Sequence, residues 1–318
     1  MTSPLDQAKK LRKKLEDEGS IEAMQRLSEF MSEYTGDSEV VSSLDLIEDI
    51  KKFEEEERLY TNIKRLDDIL DGFRSNQVIA IAAPTKAGKT QFCVHLARSL
   101  KNSTMFLFEE SAPEVLYKYH KKGLELPRFY TPRNVVGLDL DTVYLKMIEA
   151  WAKYNSRVFF IDHLHYLLDD ENINTTYKIK MVMQQLKEFA KRHGFTIFIV
   201  AHIKHIAVDQ PPGAEAIRDS SFVAQYADTT IMLWRETHEI GARGHKNVIN
   251  YTNNLLVNVY YNRKINFTNE ANINTGLVDL TFNTDTWTYD ESDWYSEWSD
   301  STIQESLRKA EVLNKLKT

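Results

Sequence analysis

The stretch IAIAAPTKAGKTQF, residues 79–92, decides the fold expected for this chain. A phosphate-binding loop reads G-x-x-x-x-G-K-[ST], and this stretch has Ala83, Gly88, Lys89 and Thr90 at the defining positions. An apolar run precedes the loop and a helical pattern follows it, which is the strand–loop–helix context that such a loop requires. The stretch therefore predicts a nucleotide-binding unit in which alanine replaces the first glycine.

Each part of this loop has an expected role. Backbone N–H groups at a helix N-terminus cradle phosphates, and Gly88 occupies the most demanding position beside them. The Lys89 ammonium would reach the β- and γ-phosphates, and the Thr90 hydroxyl would bind Mg²⁺. The expected nucleotide-contacting set is Ala83, Pro84, Thr85, Lys86, Ala87, Gly88, Lys89, Thr90 and Gln91. The alternative, a glycine-containing turn without a ligand, does not explain the Lys-Thr pair.

Strand-like and helical segments alternate from about residue 61 onward. The expected strands are QVIAIAA, TMFLFEE, SRVFFID, FTIFIVAHI, DTTIMLWRE, NLLVNVYYNR and GLVDLTF, and the expected helices are TQFCVHLARSLK, SAPEVLYKYHKKG and TYKIKMVMQQLKEFAKRHG. This alternation predicts an α/β fold with a mostly parallel central sheet that helices cover on both faces. Residues that follow the carboxyl ends of such strands face the crevice where ligands bind.

Carboxylates stand at two of these strand ends. Asp162 ends RVFFID and would hold Mg²⁺ through water, as the partner of Thr90; on its own, a strand-end aspartate is most often a cap. Glu109 and Glu110 end TMFLFEE, and Glu109 is the candidate base for the water that attacks the γ-phosphate. Glu110 is expected instead to complement the dipole of the next helix.

Basic and imidazole side chains follow the fourth strand. His202 ends this strand, where its ring would hydrogen-bond the γ-phosphate and sense its loss; in isolation it would be interpreted as a structural histidine. Lys204, His205 and Arg218 flank a polar segment with proline and glycine, which predicts a loop. These three would meet a second ligand there, although each alone is an ordinary surface charge.

Composition and charge limit the class of protein. Hydrophobic residues make up 42% and charged residues 27%, as in ordinary soluble domains. The chain has no membrane-length apolar run, no signal-like N-terminus and one cysteine, Cys93, so we expect a cytoplasmic protein without a membrane partner. The net charge is −7, but residues 61–289 hold 27 basic and 24 acidic side chains, so a polyanionic partner is not excluded.

Three segments are expected along the chain. They are a helical linker or oligomerisation extension over 1–59, a nucleotide-binding domain over 60–290, and an acidic linker with a C-terminal helix over 291–318. Residues 4–34 and the run SLDLIEDIKKFEEEER have helical spacing but are too polar to form a core. The extension is therefore either a docking arm or a solvated helix. Ser301 and Gln304 predict a capping box in the C-terminal helix.

The ordered set of motifs resembles the RecA-type core of DnaB-like replicative ring helicases, and is most similar to the helicase domains of short-tailed-phage primase-helicases and of Twinkle. The resemblance runs from about residue 61 to 290, through TNIKRLDDILDGFRSNQVIAIAAPTKAGKT, FLFEESAPEV, VFFIDHLHYL, VAHIKH, IRDSSFVAQYADTTIMLWRE, VYYNRKINF and LVDLTFNTDTWTY. It implies a RecA-like fold and hydrolysis of ATP, or another NTP or dNTP, with Mg²⁺. It also implies the catalytic glutamate at Glu109, the Walker B carboxylate at Asp162 and the γ-phosphate sensor at His202.

The same resemblance implies roles for residues further along the chain. Lys204 and Arg218 would contact DNA, while Arg235 and Phe282 would lie at the base of the nucleotide. Arg263 would act as an arginine finger that reaches into the neighbouring subunit's site.

Three functions stand open at this point. The first is an ATP-dependent hexameric helicase that translocates on single-stranded DNA in replication, with a separate primase, polymerase or loader as a further partner. The second is a RecA-like DNA-dependent ATPase that acts as a recombination mediator or helicase loader without unwinding. The third is a degenerate nucleotide-binding module, against which Lys89, Thr90, Glu109 and Asp162 argue. The resemblance also suggests a phage gene, whose product would work in the bacterial host cytoplasm.

Overall fold

The structure, a computed structural model, describes residues 9–10, 12–13, 24–25, 27–29, 40–168, 175–203, 221–240, 248–263, 267–268 and 276–295. The chain divides into two compact units, Met1–Glu56 and Glu57–Thr318. The described part of the first unit contains helix α1 (Ile47–Glu54), within the predicted helical run, and isolated helical residues between 9 and 29. The predicted capping box at Ser301 and Gln304 lies outside the described residues.

The second unit is built on one sheet, whose described strands number nine. They are β1 (Gln77–Ala83), β2 (Thr104–Leu107), β3 (Val158–Asp162), β4 (Thr196–His202), β5 (Thr229–Ile240), β6 (Val248–Asn262), β7 (Phe267–Thr268), β8 (Leu277–Asn283) and β9 (Thr288–Glu291). The spatial order is β2-β3-β4-β1-β5-β6-β8-β9, with β7 paired to β6. β2, β3, β4, β1 and β5 are parallel, and the strands beyond β5 extend the sheet with antiparallel pairs.

Helices cover both faces of this sheet. In the second unit the described helices are α2 (Lys64–Leu70), α3 (Lys89–Ser99), α4 (Ala112–Lys121), α5 (Leu140–Tyr154), α6 (Thr175–His193) and α7 (Ser221–Tyr226), with a 3-10 turn at Leu164–Leu167. α5 is absent from the expected elements, although Asp139 caps it by accepting a hydrogen bond from the Thr142 N–H, and Val143, Met147 and Ala150 give it a buried face. No described helix is long and apolar enough to cross a membrane.

β1 explains why the central strands are continuously apolar. Its alternate residues Val78 and Ala80 pack into the core formed with α5 and α6, whereas Ile79 and Ile81 pack into the core on the side of α2, α3 and α4. A strand with helices on both faces must bury both sets of side chains, which removes the polar alternation of a half-exposed strand. The predicted α/β class is therefore confirmed. The alternation of strands and helices did not predict the antiparallel strands beyond β5.

Candidate nucleotide-binding site

Ala83 and Gly88, at the two ends of the loop between β1 and α3, have different backbone conformations. Ala83 is the last residue of β1, lies buried and pairs in register with His202. Its backbone is extended strand, which any residue adopts, so the missing first glycine is not needed. Gly88 has φ +87°, and a Cβ atom there would lie 3.1 Å from the Tyr289 hydroxyl. Glycine is therefore required at Gly88 and not at Ala83.

Lys89, the first residue of α3, is buried and points across the loop. Its Nζ donates to the Pro84 carbonyl at 3.1 Å and lies 3.1 Å from Nδ1 of His202. Burial lowers the pKa of Lys89, and the nearby carboxylates of Asp162 and Glu109 oppose this shift. The ammonium thus lies at the end of the sheet with partners that a phosphate could replace.

Thr90 and Asp162 bring a hydroxyl and a carboxylate together. Thr90 Oγ1 donates to Asp162 Oδ2 at 2.5 Å, and Asp162 is almost fully buried. Its second oxygen, Oδ1, is buried without a hydrogen-bond partner among the described residues, and burial raises the pKa of this carboxyl. A buried acceptor without a partner needs a ligand or water, and oxygen donors of this kind are those that Mg²⁺ prefers. The pair fits the predicted magnesium role.

Glu109 follows β2 by two residues and is half exposed at the same edge of the sheet. Its Oε2 lies 3.7 Å from Nε2 of His202 and 3.9 Å from Nε2 of His163. The two imidazole rings meet edge to face, with centroids 4.4 Å apart. Burial lowers the pKa of His163 to about 4, and burial followed by the Lys89 charge lowers that of His202. Both rings are therefore neutral near pH 7.

His163 is a site residue that was not among the expected set. The signal was available in VFFIDHLHYL, since the residue directly after a strand-end aspartate lies at the same sheet edge. Glu110, by contrast, is drawn away into an ion pair with Lys118 of α4. Ser111 and Glu114 form the capping box of α4. Glu114 is therefore a second carboxylate at this helix N-terminus, in addition to the predicted Glu110.

Two adjoining hollows open beside the loop. The larger is a cleft of about 690 Å³, lined by Thr85, Lys86, Gly88, Lys89, Thr90, Gln91, Glu109, Glu110, Val115, Lys118, Arg235 and Tyr251. This volume is in the range of sites for small ligands. The smaller is a recess of about 90 Å³, lined by Gly88, Gln91, Arg235, Asn253, Leu255, Phe282 and Tyr289. Gly88, Gln91 and Arg235 border both, so the recess lies directly beside the cleft.

Specific contacts fix the side chains at the recess. Arg235 Nε donates to the Thr252 carbonyl at 2.5 Å, and its guanidinium lies 5.5 Å from the centre of the Tyr251 ring. Gln91 Nε2 donates to the Tyr119 hydroxyl at 2.6 Å and to the Trp287 carbonyl at 3.3 Å. Arg235 and Phe282, which were expected at the base of the nucleotide, thus both border the recess next to the phosphate loop.

Arg263 lies at the opposite end of the parallel strands. Its backbone N–H donates to the Asp228 carbonyl, and Asp228 is hydrogen-bonded to Val78 near the start of β1. Its guanidinium donates to the Gln225 carbonyl and lies over the Tyr261 ring. This arginine is therefore not part of the cleft of its own chain. Lys204, His205 and Arg218 lie outside the described residues.

Comparisons with known proteins agree with this geometry. No family model matches the chain. The replicative DNA helicase DnaB of Treponema pallidum (strain Nichols) is 23% identical over 211 residues, which cover 56% of this chain and 48% of that protein. The chain thus spans about half the length of this relative.

Two solved structures have the same fold. One is an ATPase domain, which superposes with a TM-score of 0.62 at 17% identity, over 79% of this chain and 99% of that one. The other is a DnaB-like replicative helicase, studied for its interactions with primase. It superposes with a TM-score of 0.61 at 17% identity, over 90% of this chain and 75% of that one.

The chain has an α/β domain of RecA-like fold, and the loop between β1 and α3 has the sequence pattern of a phosphate-binding loop. Within that class the chain resembles the DnaB-like replicative helicases in both sequence and fold, which confirms the predicted resemblance. The nearer similarity to phage primase-helicases and Twinkle stays a prediction.

Proposed function

We propose that this chain is an ATP-dependent DNA helicase that acts in replication as a hexameric ring on single-stranded DNA. One observation carries the proposal: Lys89, Thr90, Glu109, Asp162 and His202 lie together at the carboxyl ends of four neighbouring strands, in a chain similar to DnaB. A structural role alone would not explain a buried lysine, a nearby half-exposed glutamate and a buried carboxylate oxygen that has no hydrogen-bond partner in the described part of the chain, all at one edge of the sheet.

Each side chain has a task that follows from its contacts. Lys89 would exchange the Pro84 carbonyl and the His202 ring for the β- and γ-phosphates of the nucleotide. Thr90 and Asp162 would hold Mg²⁺, which neutralises charge on the phosphate oxygens when bound. Glu109 would accept a proton from the attacking water. His202, released from Lys89, would face the γ-phosphate.

Arg263 would act between subunits. It lies at the end of the sheet away from its own cleft, so it could neutralise transition-state charge only in a neighbouring copy's site. Lys204 and Arg218 would grip the DNA phosphates in the central channel. The helices before residue 57 would pack on the adjacent protomer, and a separate primase, polymerase or loader would join the ring. In a bacterial host this would be a cytoplasmic assembly.

A second candidate is a RecA-like ATPase that binds DNA as a recombination mediator or helicase loader. The same site would support it, because nucleotide hydrolysis alone does not imply unwinding. A strand-displacement assay on a forked duplex separates the two. The proposal predicts ATP-dependent release of the displaced strand, whereas DNA-stimulated hydrolysis without release would favour the second candidate.

The glutamate assignment can be tested with a matched pair of variants. Glu109→Gln should bind ATP normally but lose hydrolysis by about 100-fold or more, because a positioned base contributes roughly 10² to 10⁴ in rate. Glu110→Gln is the control, since its carboxylate pairs with Lys118 instead of facing the histidines, and it should keep most of its activity. Single-turnover hydrolysis measures both. Normal turnover in Glu109→Gln would refute the base assignment.

A further inference from the structure

Glu109, His163 and His202 form a cluster with the composition of a transition-metal site. Their ligand atoms all lie within 4.8 Å of one another, and the carboxylate oxygen is 3.7 Å and 3.9 Å from the two imidazole Nε2 atoms. Each comes from a different strand end: Glu109 follows β2, His163 follows β3 and His202 is the last residue of β4, and these three strands are hydrogen-bonded neighbours. The backbone at the cluster is therefore held by hydrogen-bonded strands of one sheet.

The distances suit one four-coordinate ion. Ligand atoms around tetrahedral zinc lie about 3.4 Å apart when each is about 2.1 Å from the metal. The two carboxylate–imidazole distances exceed this spacing by roughly half an ångström, which the half-exposed Glu109 can close. The two imidazole nitrogens, which lie within 4.8 Å of each other, must approach by up to about 1.4 Å through small ring rotations. Two imidazoles and one carboxylate favour Zn²⁺ over Mg²⁺, because magnesium prefers oxygen donors.

We propose that Glu109, His163 and His202 bind Zn²⁺ at a site separate from the Thr90–Asp162 magnesium pair. Three protein ligands leave the fourth position open to water or to a phosphate oxygen. A zinc ion bound at this site holds Glu109 and His202 in place as its ligands. Provided that the proposed function is correct, bound Zn²⁺ therefore inhibits hydrolysis, since both side chains are then withheld from water and γ-phosphate.

Lys89 makes this site sensitive to the state of the phosphate loop. Its ammonium donates to Nδ1 of His202, so the ring proton is on Nε2 and points toward Glu109. Zinc at Nε2 requires the proton on Nδ1 instead, and an ammonium cannot accept from it. Zinc and Lys89 consequently compete for His202.

The test is metal titration of the 318-residue chain, after chelator treatment and with millimolar Mg²⁺ present. Co²⁺ serves as the spectroscopic probe for tetrahedral coordination, and Zn²⁺ then displaces it. We expect one tight ion in the unaltered chain. His163→Asn should weaken binding by about 100-fold, because even outer-shell losses cost 10- to 100-fold. His165→Asn is the matched control, since its ring is next to both histidines but outside the cluster, and it should bind normally.

A second pair of variants tests the ligands and the competition. Glu109→Gln should also lose Co²⁺ binding. Because Glu109 is half exposed, this variant should fold, so it tests the site even if His163→Asn does not fold. Lys89→Ala should bind Zn²⁺ more tightly than the unaltered chain, because the competing hydrogen bond is gone. Equal affinity in the unaltered chain, His163→Asn and Glu109→Gln would overturn the site, and weaker binding by Lys89→Ala would overturn the competition. All of these readouts measure metal binding, so they stand or fall independently of helicase activity.

Discussion

Ala83 occupies the position at which phosphate-binding loops ordinarily begin with glycine. Here that residue still belongs to β1, where an extended backbone and a buried methyl group suit alanine better than glycine. The left-handed conformation falls instead on Lys86 and Gly88. The departure from the loop pattern at Ala83 is therefore compatible with the backbone conformation there, and it does not argue against the proposed phosphate binding.

Restoring the missing glycine should weaken the fold without improving the site. Ala83→Gly removes a buried methyl group and adds backbone freedom in a strand, which together cost about 1 to 2 kcal/mol of unfolding free energy. Denaturant unfolding measures this loss, and ATP titration should give an unchanged affinity. Gly88→Ala is the contrasting variant: its φ of +87° and the 3.1 Å approach to Tyr289 predict loss of nucleotide binding. Tighter ATP binding by Ala83→Gly would contradict this explanation.

At the element scale, the parallel half of the sheet and its strand-end residues could be predicted from the sequence. Its strands are short apolar runs buried on both faces, and the site residues follow them directly. α5 was harder to predict, because LDTVYLKMIEAWAKY mixes buried Val143 and Met147 with exposed Leu145 and a partly exposed Trp151. β9 was not predicted, although it pairs with β8 across a short hairpin in which Asn283 lies opposite Thr288. Only the resemblance pointed to Arg235 and Phe282 at the recess beside Gly88, which depends on the pairing of β6 with the distant β8.

α3 and β9 are joined by a buried histidine that should make stability depend on pH. His95 Nδ1 accepts the Tyr289 N–H at 3.2 Å, its Nε2 is buried without a partner among the described residues, and burial lowers its pKa to about 4. The unfolded chain, with a histidine pKa near 6.5, takes up this proton first as the pH falls. The contribution of neutral His95 to the free energy of unfolding is thus fully present above pH 6.5. It declines as the pH falls toward 4, by on the order of 2 to 3 kcal/mol.

Unfolding measured across that pH window tests the assignment. His95→Asn cannot be protonated, so its stability should fall less steeply between pH 6.5 and 4 than that of the unaltered chain. His120→Asn, at an exposed position on α4, is the control and should leave the slope unchanged. Parallel slopes for His95→Asn and the unaltered chain would show that another group governs the dependence.

At the scale of the whole molecule, the cleft and Arg263 lie at opposite ends of the sheet, so the two can meet only between copies. We expect Arg263→Ala to retain ATP binding and lose hydrolysis by about 10³-fold or more, the size of effect typical of arginine fingers. Mixing Arg263→Ala with Lys89→Ala should restore part of the activity, because an intact finger then faces an intact cleft. Hydrolysis that stays absent at every mixing ratio would argue against action in trans.

A ring-forming motor assembles from several copies of the chain, and native mass measurement with ATP and single-stranded DNA determines how many copies assemble. We expect a complex of six 37.0 kDa protomers with bound DNA. A chain that binds ATP and DNA yet keeps the mass of a single protomer would contradict it.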